Sequence, residues 1–295
     1  YYTHQIEIPG GWSGLSSYIM PAENSITDVM APLSPNFIIL TTMESVFYPD
    51  GAINTIGNWG PQSAYKIKLS SASILDIVGN EEANKTFLMD PGWNLMPVIS
   101  NSPVDAAGLF SGVSFEIVKD VAGVGLMWPE YGINTLGVFV PGRVYVVKMN
   151  SSGAVNFPPN VKNAVAFEIP QTDSPTHPWN EPHNGPSTHS IAIIANGISG
   201  AMPGDVIGVF DESEQCFGCA EIANLNDNTA LTAFADDPYT YEKDGFEAND
   251  QMDIKLFRPS TSGVYPIEVV WDDRLPNAAY FENDGISVIS GLKVS

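Results

Sequence analysis

Apolar and polar positions alternate along most of this chain with a period of two, not 3.6. AYKIKL (64–69), SILDIV (73–78), VSFEIV (113–118) and RVYVVKM (143–149) alternate or run apolar, favour β-branched and aromatic residues, and end in Gly, Pro, Asn or Ser. That pattern predicts strands. HSIAII (189–194), DVIGVF (205–210), TALTAF (229–234), MDIKLF (252–257), VYPIEVVW (264–271) and ISVIS (286–290) follow at the spacing of an antiparallel sandwich. Helical turns are expected only at 27–33 and 104–110, the second opening after Ser102-Pro103, a cap followed by proline. About 17 strands and almost no helix are predicted.

The chain also repeats itself. Gly11-Trp12 is echoed by Gly92-Trp93, Phe47-Tyr48-Pro49 by Met127-Trp128-Pro129, Ile53-Asn54-Thr55 by Ile133-Asn134-Thr135, and Tyr65 to Leu69 by Tyr145 to Met149. A spacing of about 80 residues is too long for a solenoid unit, so the echo implies tandem duplication of a small β-sandwich or barrel. Trp12 and Trp93, at matched positions, are expected to plug one end of each copy. Seven prolines between 158 and 186 mark an extended connector holding one strand, VKNAVAFEI (161–169). The predicted organisation is all-β: a leading strand (1–9), repeat 1 (10–90), repeat 2 (91–157), the connector (158–186) and a C-terminal antiparallel β-sandwich (187–295). Duplication favours construction over catalysis, because repeated folds supply surface and avidity.

Composition narrows the partners. The 295 residues are 44% hydrophobic, enough for one large or two ordinary cores. A net charge of −22 would repel a phosphate backbone, which argues against nucleic acid. No uninterrupted apolar run has the length of a membrane span. Tyr1 opens the chain without a basic leader or an initiator Met, so a mature or excised fragment is expected. Many Asn, Ser, Thr, Gly and Asp with few Lys suit an extracellular or cell-surface location.

Five clusters invite chemistry. Asp236, Asp237, Asp244, Glu247 and Asp250 crowd ADDPYTYEKDGFEAND, a set of hard oxygen ligands that would suit calcium, though not with EF-hand spacing; a turn held by Asx hydrogen bonds is the competing explanation. Asp272, Asp273, Glu282 and Asp284 form a second acidic cluster, while Asp205 and Asp211 bracket a strand and are expected to face loops. His177, His183 and His189 recur every six residues in an extended, proline-rich context that is poor geometry for zinc or copper. Cys216 and Cys219, in CFGC on a β-hairpin, lack the helix of a redox motif; in an oxidising exterior they are expected to close a small disulfide ring, with buried thiols as the alternative. Trp59, Trp128, Tyr131, Trp179 and Tyr239 sit beside Pro, Gly or Asn, where flat rings could stack on sugars.

The duplicated GW…P…INTLG…YVVKM pattern, PGDVIGVFDESEQC, KDGF and WDDRLPNAAYFENDGISVIS together resemble uncharacterised β-rich modules of secreted Bacteroidetes proteins that carry a type IX secretion sorting domain. That resemblance implies export and a sorting domain beyond Ser295, and supplies no catalytic residues. The expected function is a non-catalytic extracellular module for adhesion or for binding polysaccharide or a cell-surface glycan. A second expectation is a subunit of a surface filament or stalk, binding copies of itself through YYTHQIEI as a donated strand. A third, part of a glycoside hydrolase, rests only on the abundance of carboxylates.

Overall fold

The computed structural model describes residues 1–162 and 175–294; the strand expected at 161–169 lies outside them from residue 163 onward. The fold is all-β, and the chain divides into two compact units, Tyr1–Trp128 with Asn134–Ile169, and Pro129–Ile133 with Pro170–Ser295. The described residues carry 26 strands, more than expected, because two- and three-residue strands are too short to show a period.

Unit 1 contains the duplication. The first copy comprises β1 (Tyr2–Ile8), β2 (Gly11–Leu15), β3 (Ile19–Pro21), helix α1 (Ile26–Met30), β4 (Phe37–Thr41), β5 (Val46–Tyr48), β6 (Ile53–Asn54), β7 (Tyr65–Leu69) and β8 (Ser73–Glu81). The second comprises β9 (Thr86–Met89), β10 (Gly92–Pro97), β11 (Val104–Asp105), helix α2 (Ala106–Leu109), β12 (Phe115–Asp120), β13 (Leu126–Trp128), β14 (Ile133–Asn134), β15 (Val138–Phe139), β16 (Val144–Met149) and β17 (Gly153–Asn156). Their five-stranded sheets have the same order, β2-β7-β4-β5-β6 and β10-β16-β12-β13-β14, and none of the described sheets closes into a barrel. The flanking pairs match as well, β1 with β8 and β9 with β17. The leading strand 1–9 is therefore not a separate element. It is the first copy's counterpart of β9, paired along its whole length with β8. Helix α2 is capped by Asp105, whose Oδ2 accepts from Gly108 N at 2.6 Å, three residues after the expected cap Ser102.

The repeated INT signature has a structural cause. Thr55 Oγ1 accepts from Val46 N at 2.8 Å and donates to Val46 O at 3.2 Å, and Thr135 does the same with Leu126 at 2.9 and 3.3 Å. Asn54 Oδ1 accepts from Gly57 N at 2.9 Å and Asn134 Oδ1 from Gly137 N at 3.2 Å, closing turns in which both glycines hold positive φ. Tyr65 and Tyr145 each accept a loop N–H on the phenol oxygen, from Gly60 and Val140. The duplicated residues thus terminate short strands that propensity alone would not hold.

Each copy has its own core, and a third cluster joins the two. Leu15, Leu40, Ile67 and Leu69 face β1, β8 and α1 in copy 1, while Met96, Val118, Tyr145 and Val147 do the equivalent in copy 2. The opposite faces of the same five-stranded sheets supply Trp12, Ile39, Ala64, Leu95, Val144 and Val146 to the shared cluster. β16 is accordingly buried on both faces over residues 144–147, which explains the apolar run there. Close approach depends on Gly14, where a Cβ would meet Val144 N and Cβ at 2.7 Å. Next to it, Ser16 Oγ donates to Arg143 O at 2.6 Å, accepts from Val98 N at 3.2 Å, and Ser16 N donates to Gly142 O.

Unit 2 is a sandwich of β18 (Thr188–Ile193), β19 (Ile198–Ser199), β20 (Val206–Phe210), β21 (Cys216–Glu221), β22 (Thr229–Phe234), β23 (Asp253–Arg258), β24 (Gly263–Tyr265), β25 (Ile267–Trp271) and β26 (Ile286–Val294). One sheet runs β19-β26-β18-β22 with β25 beside β26; the other runs β21-β20-β23-β24. Ile191, Ile193, Ile207, Val209, Leu231, Leu256 and Ile289 fill the space between them. The expected antiparallel pattern fails at β26, which pairs parallel to β18 and β19 because the closing strand returns to the sheet after a long crossover.

Two outcomes test this packing. Gly14→Ala is expected to destabilise unit 1 by roughly 1–3 kcal/mol through overpacking, seen as a lower urea midpoint. His4 is buried beside Ser17 Oγ at 2.9 Å, and burial lowers its pKa from 6.5 to about 4. The folded state therefore binds this proton less readily than the unfolded chain. Its neutral form contributes stability that is complete above about pH 6.5 and is lost by roughly 3 kcal/mol as pH falls toward 4. His4→Gln should flatten urea midpoints across that window.

Candidate functional site

A concavity lies in unit 2, where the chain passes from one sheet to the other at Pro266, between β24 and β25. It is an open cleft of about 550 Å³. Tyr265 and Trp271 give it two half-buried rings, and Gln251, Asp253 and Lys255 give it an amide, a carboxylate and an ammonium. Alternation along β23 presents those three polar side chains on the side away from Met252, Ile254 and Leu256, which enter the core. Gln251 Nε2 donates to Asp253 Oδ1 at 3.1 Å, and Lys255 pairs with Glu214 at 3.2 Å. Tyr265 is held from behind: Arg258 lies 5.0 Å from its ring centroid, and Thr261 Oγ1 is 3.0 Å from its hydroxyl. Arg258 is in turn fixed by buried Asp205, Nε to Oδ1 at 2.9 Å and Nη2 to Oδ2 at 2.7 Å. Asp205 faces the loop before β20, as expected, with Oδ2 accepting from Met202 N at 2.8 Å, and it also anchors the support of a cleft aromatic.

The aromatics singled out from the sequence do not form one platform. Trp59 is 1% exposed, stacked on Tyr65 at 4.7 Å with Nε1 donating to Ile19 O, and Trp128 is wholly buried. Both are core residues: the loop that carries Trp59 folds inward, and Trp128 ends the buried strand β13. Tyr131 is half-buried in a 3-10 turn, Trp179 is half-buried against Phe210 and Phe257, and Tyr239 is 39% exposed. Trp12 is buried as expected, but its counterpart Trp93 is only half-buried, with Lys119 and Lys148 at 5.1 and 5.6 Å from its ring. Tyr265 and Trp271 were the rings that mattered for the cleft. Each is half-buried and packs against the core of unit 2, on either side of Pro266, where the chain passes between sheets.

The acidic turn binds its own backbone. Asp237 N donates to Asp244 Oδ1 at 3.0 Å, Asp244 N to Asp236 Oδ1 at 2.8 Å, Tyr239 N to Asp237 Oδ1 at 3.0 Å, and Glu247 N to Asp250 Oδ2 at 3.0 Å. Lys243 Nζ neutralises Asp250 at 2.7 Å and Asp211 at 3.3 Å. Among the described residues no group of three or more His, Cys, Asp or Glu side chains is placed to hold a metal ion. Asp211 Oδ1 also accepts from Ser213 N and Gln215 N, which shapes the hairpin leading to Cys216. In the second acidic cluster Asp272 grips Arg274, with Nε to Oδ1 at 2.9 Å.

The cysteines are not bonded to each other, contrary to the expected ring. Cys216 Sγ donates to Gly218 O at 3.3 Å, and Cys219 Sγ lies 3.2 Å from His177 Nε2. Each thiol is engaged elsewhere. Burial pushes Cys216 up to about 11 and Cys219 up to about 12, so both are protonated at neutral pH. The buried pair His189 and Ser287 resembles a catalytic dyad but cannot act as one. Glu282 N donates to His189 Nδ1 at 3.0 Å, which leaves the proton on Nε2, pointing at Ser287 Oγ at 2.8 Å. An Nε2–H donates to the hydroxyl and has no lone pair with which to activate it.

Comparison of the chain with protein-family models, with curated proteins and with solved structures finds no match. Removing the carboxylate behind Tyr265, as Asp205→Ala, strands the Arg258 guanidinium in a mostly covered position and is expected to cost about 3–5 kcal/mol, measurable by urea denaturation.

Proposed function

We propose that this chain is a non-catalytic module that binds carbohydrate, serving adhesion at a cell surface or in a secreted protein. What supports it is the open cleft of about 550 Å³ in which Tyr265 and Trp271 stand beside Gln251, Asp253 and Lys255. Sugar rings present apolar C–H faces and a rim of hydroxyls. Aromatic faces meet the first, and paired donors and acceptors meet the second. Asp253 is the one carboxylate lining the cleft, so the two flanking acids that glycoside hydrolysis needs are not brought together there. The motifs shared with secreted Bacteroidetes modules favour the surface location, and the net charge of −22 favours neutral over acidic polysaccharides. The filament reading loses its leading argument, because β1 is already paired with β8.

Retention of the purified chain on a panel of insoluble neutral polysaccharides is the direct measurement. Trp271→Leu, which keeps apolar packing and removes the ring, is expected to weaken retention about tenfold, as is Tyr265→Ala. No retention on any polysaccharide, or retention that both substitutions leave unchanged, would sink the proposal. Ordered fibres in negative stain of the same material would turn attention to self-assembly.

A further inference from the structure

Beside the cleft, on the same outer face of the β21-β20-β23-β24 sheet, polar groups of unit 2 converge at a second place. Cys216 and Cys219 lie opposite Phe210 and Gly208, with an irregularity in the register between them. Residues 208 and 210 share one face of β20, and three residues of β21 span what two of β20 span, so both thiols come to that same face. It is the face turned away from Ile207, Val209 and Phe217, which enter the core. Two strand steps of ~3.3 Å put the cysteine Cα atoms roughly 6–7 Å apart, near the upper end of what a disulfide bridges.

Residues 177–181 cross this face. Trp179 packs edge-on against Phe210 at 5.1 Å and comes so near Gly208 that a Cβ there would meet the indole at 2.8 Å. His177 stacks on Trp179 at 5.3 Å and directs Nε2 at Cys219 Sγ. Its side chain is wholly covered, yet Nδ1 has no hydrogen-bond partner, whereas both nitrogens of buried His189 are bonded. An unpaired buried ring nitrogen is unfavourable in a merely structural histidine, and its retention calls for an explanation in the chemistry of the ring.

We propose that Cys219 and His177 form a thiol–disulfide exchange site for small organic disulfides, with Cys216 as the resolving thiol. His177 Nε2 takes the S–H proton of Cys219, and the thiolate attacks one sulfur of R–S–S–R. That S–S bond breaks, and the departing sulfur leaves as RSH with the proton from His177. Cys216 then gives up its proton and attacks the Cys219 sulfur of the mixed disulfide; a second RSH leaves and the Cys216–Cys219 bond closes. Two protein thiols are oxidised and one small disulfide is reduced to two thiols. Glu181 Oε1, 3.9 Å from Nε2, stabilises the imidazolium formed on the way. The other charged groups on this face include Lys255, 4.7 Å over the Phe210 ring, its partner Glu214, and Asp253, which lies opposite Phe210 on β23. Because burial keeps the resting thiols protonated, exchange depends on the adjacent base and not on a standing thiolate.

The test uses the full chain, reduced, freed of reductant and incubated with oxidised glutathione, followed by mass spectrometry of the intact protein and its peptides. The wild type should end as the Cys216–Cys219 disulfide without retained glutathione. Cys216→Ser should accumulate glutathione on Cys219, and Cys219→Ser should leave Cys216 unmodified over the same time. His177→Asn should slow exchange about 100-fold at neutral pH. Glu181→Gln, which alters a mostly exposed side chain, should slow exchange by a smaller factor than His177→Asn does. First modification at Cys216, an unchanged exchange rate in the His177 variant, or inertness of both thiols in the folded wild type would each overturn the proposal.

Discussion

Burial of one strand on both faces is the constraint on which unit 1 depends. β16 sends Tyr145, Val147 and Met149 into the core of its own copy and Val144 and Val146 into the cluster shared with the other. A strand so placed must be apolar throughout and must be approached closely on both sides. Gly14 supplies the approach, and Ser16 satisfies the backbone of Arg143 and Gly142 where they meet it. Leu95 is the second copy's counterpart of Gly14, and Ala64 the first copy's counterpart of Val144; both belong to the same shared cluster. Small and large side chains have thus exchanged places between the copies, which keeps the combined volume while breaking the symmetry.

Much of this was legible in the sequence, for identifiable reasons. Strands such as Tyr65–Leu69 announce themselves because a half-buried strand must alternate, and the duplication did so because the same hydrogen bonds, Thr55 to Val46 and Thr135 to Leu126, demand the same residues. The two-residue strand Ile53–Asn54 has no period to read. Trp59 between Asn58 and Gly60 resembles an exposed loop ring, yet Trp59 N donates to Asn24 O and carries the indole inward. Neighbours along the chain reveal a loop; they do not reveal whether it tucks under. The spacing of Cys216 and Cys219 likewise suggests opposite faces of a strand, and only the irregular pairing with β20 reverses that.

Unit 2 keeps its chemistry at the margins of a saturated interior. Asp205, Arg258, His189 and Ser287 are buried polar groups, and all are bound to one another or to the backbone, so they fix positions without remaining reactive. The cleft and the Cys219–His177 contact differ because they lie where sheet pairing is interrupted, at Pro266 in one case and at the register shift of β20 in the other. Interruptions of this kind release side chains from the strict in-and-out alternation of a regular ladder and let unlike groups face one another.

The shared cluster also fixes how far the duplication could have gone. Each five-stranded sheet turns one side to its own interior and the other to its sister, so neither retains a bare side on which another copy could settle. Solenoids lengthen because every added unit exposes a fresh surface for the next. Here the second copy consumes the first one's only vacancy while offering none of its own, and the series ends at two by geometry.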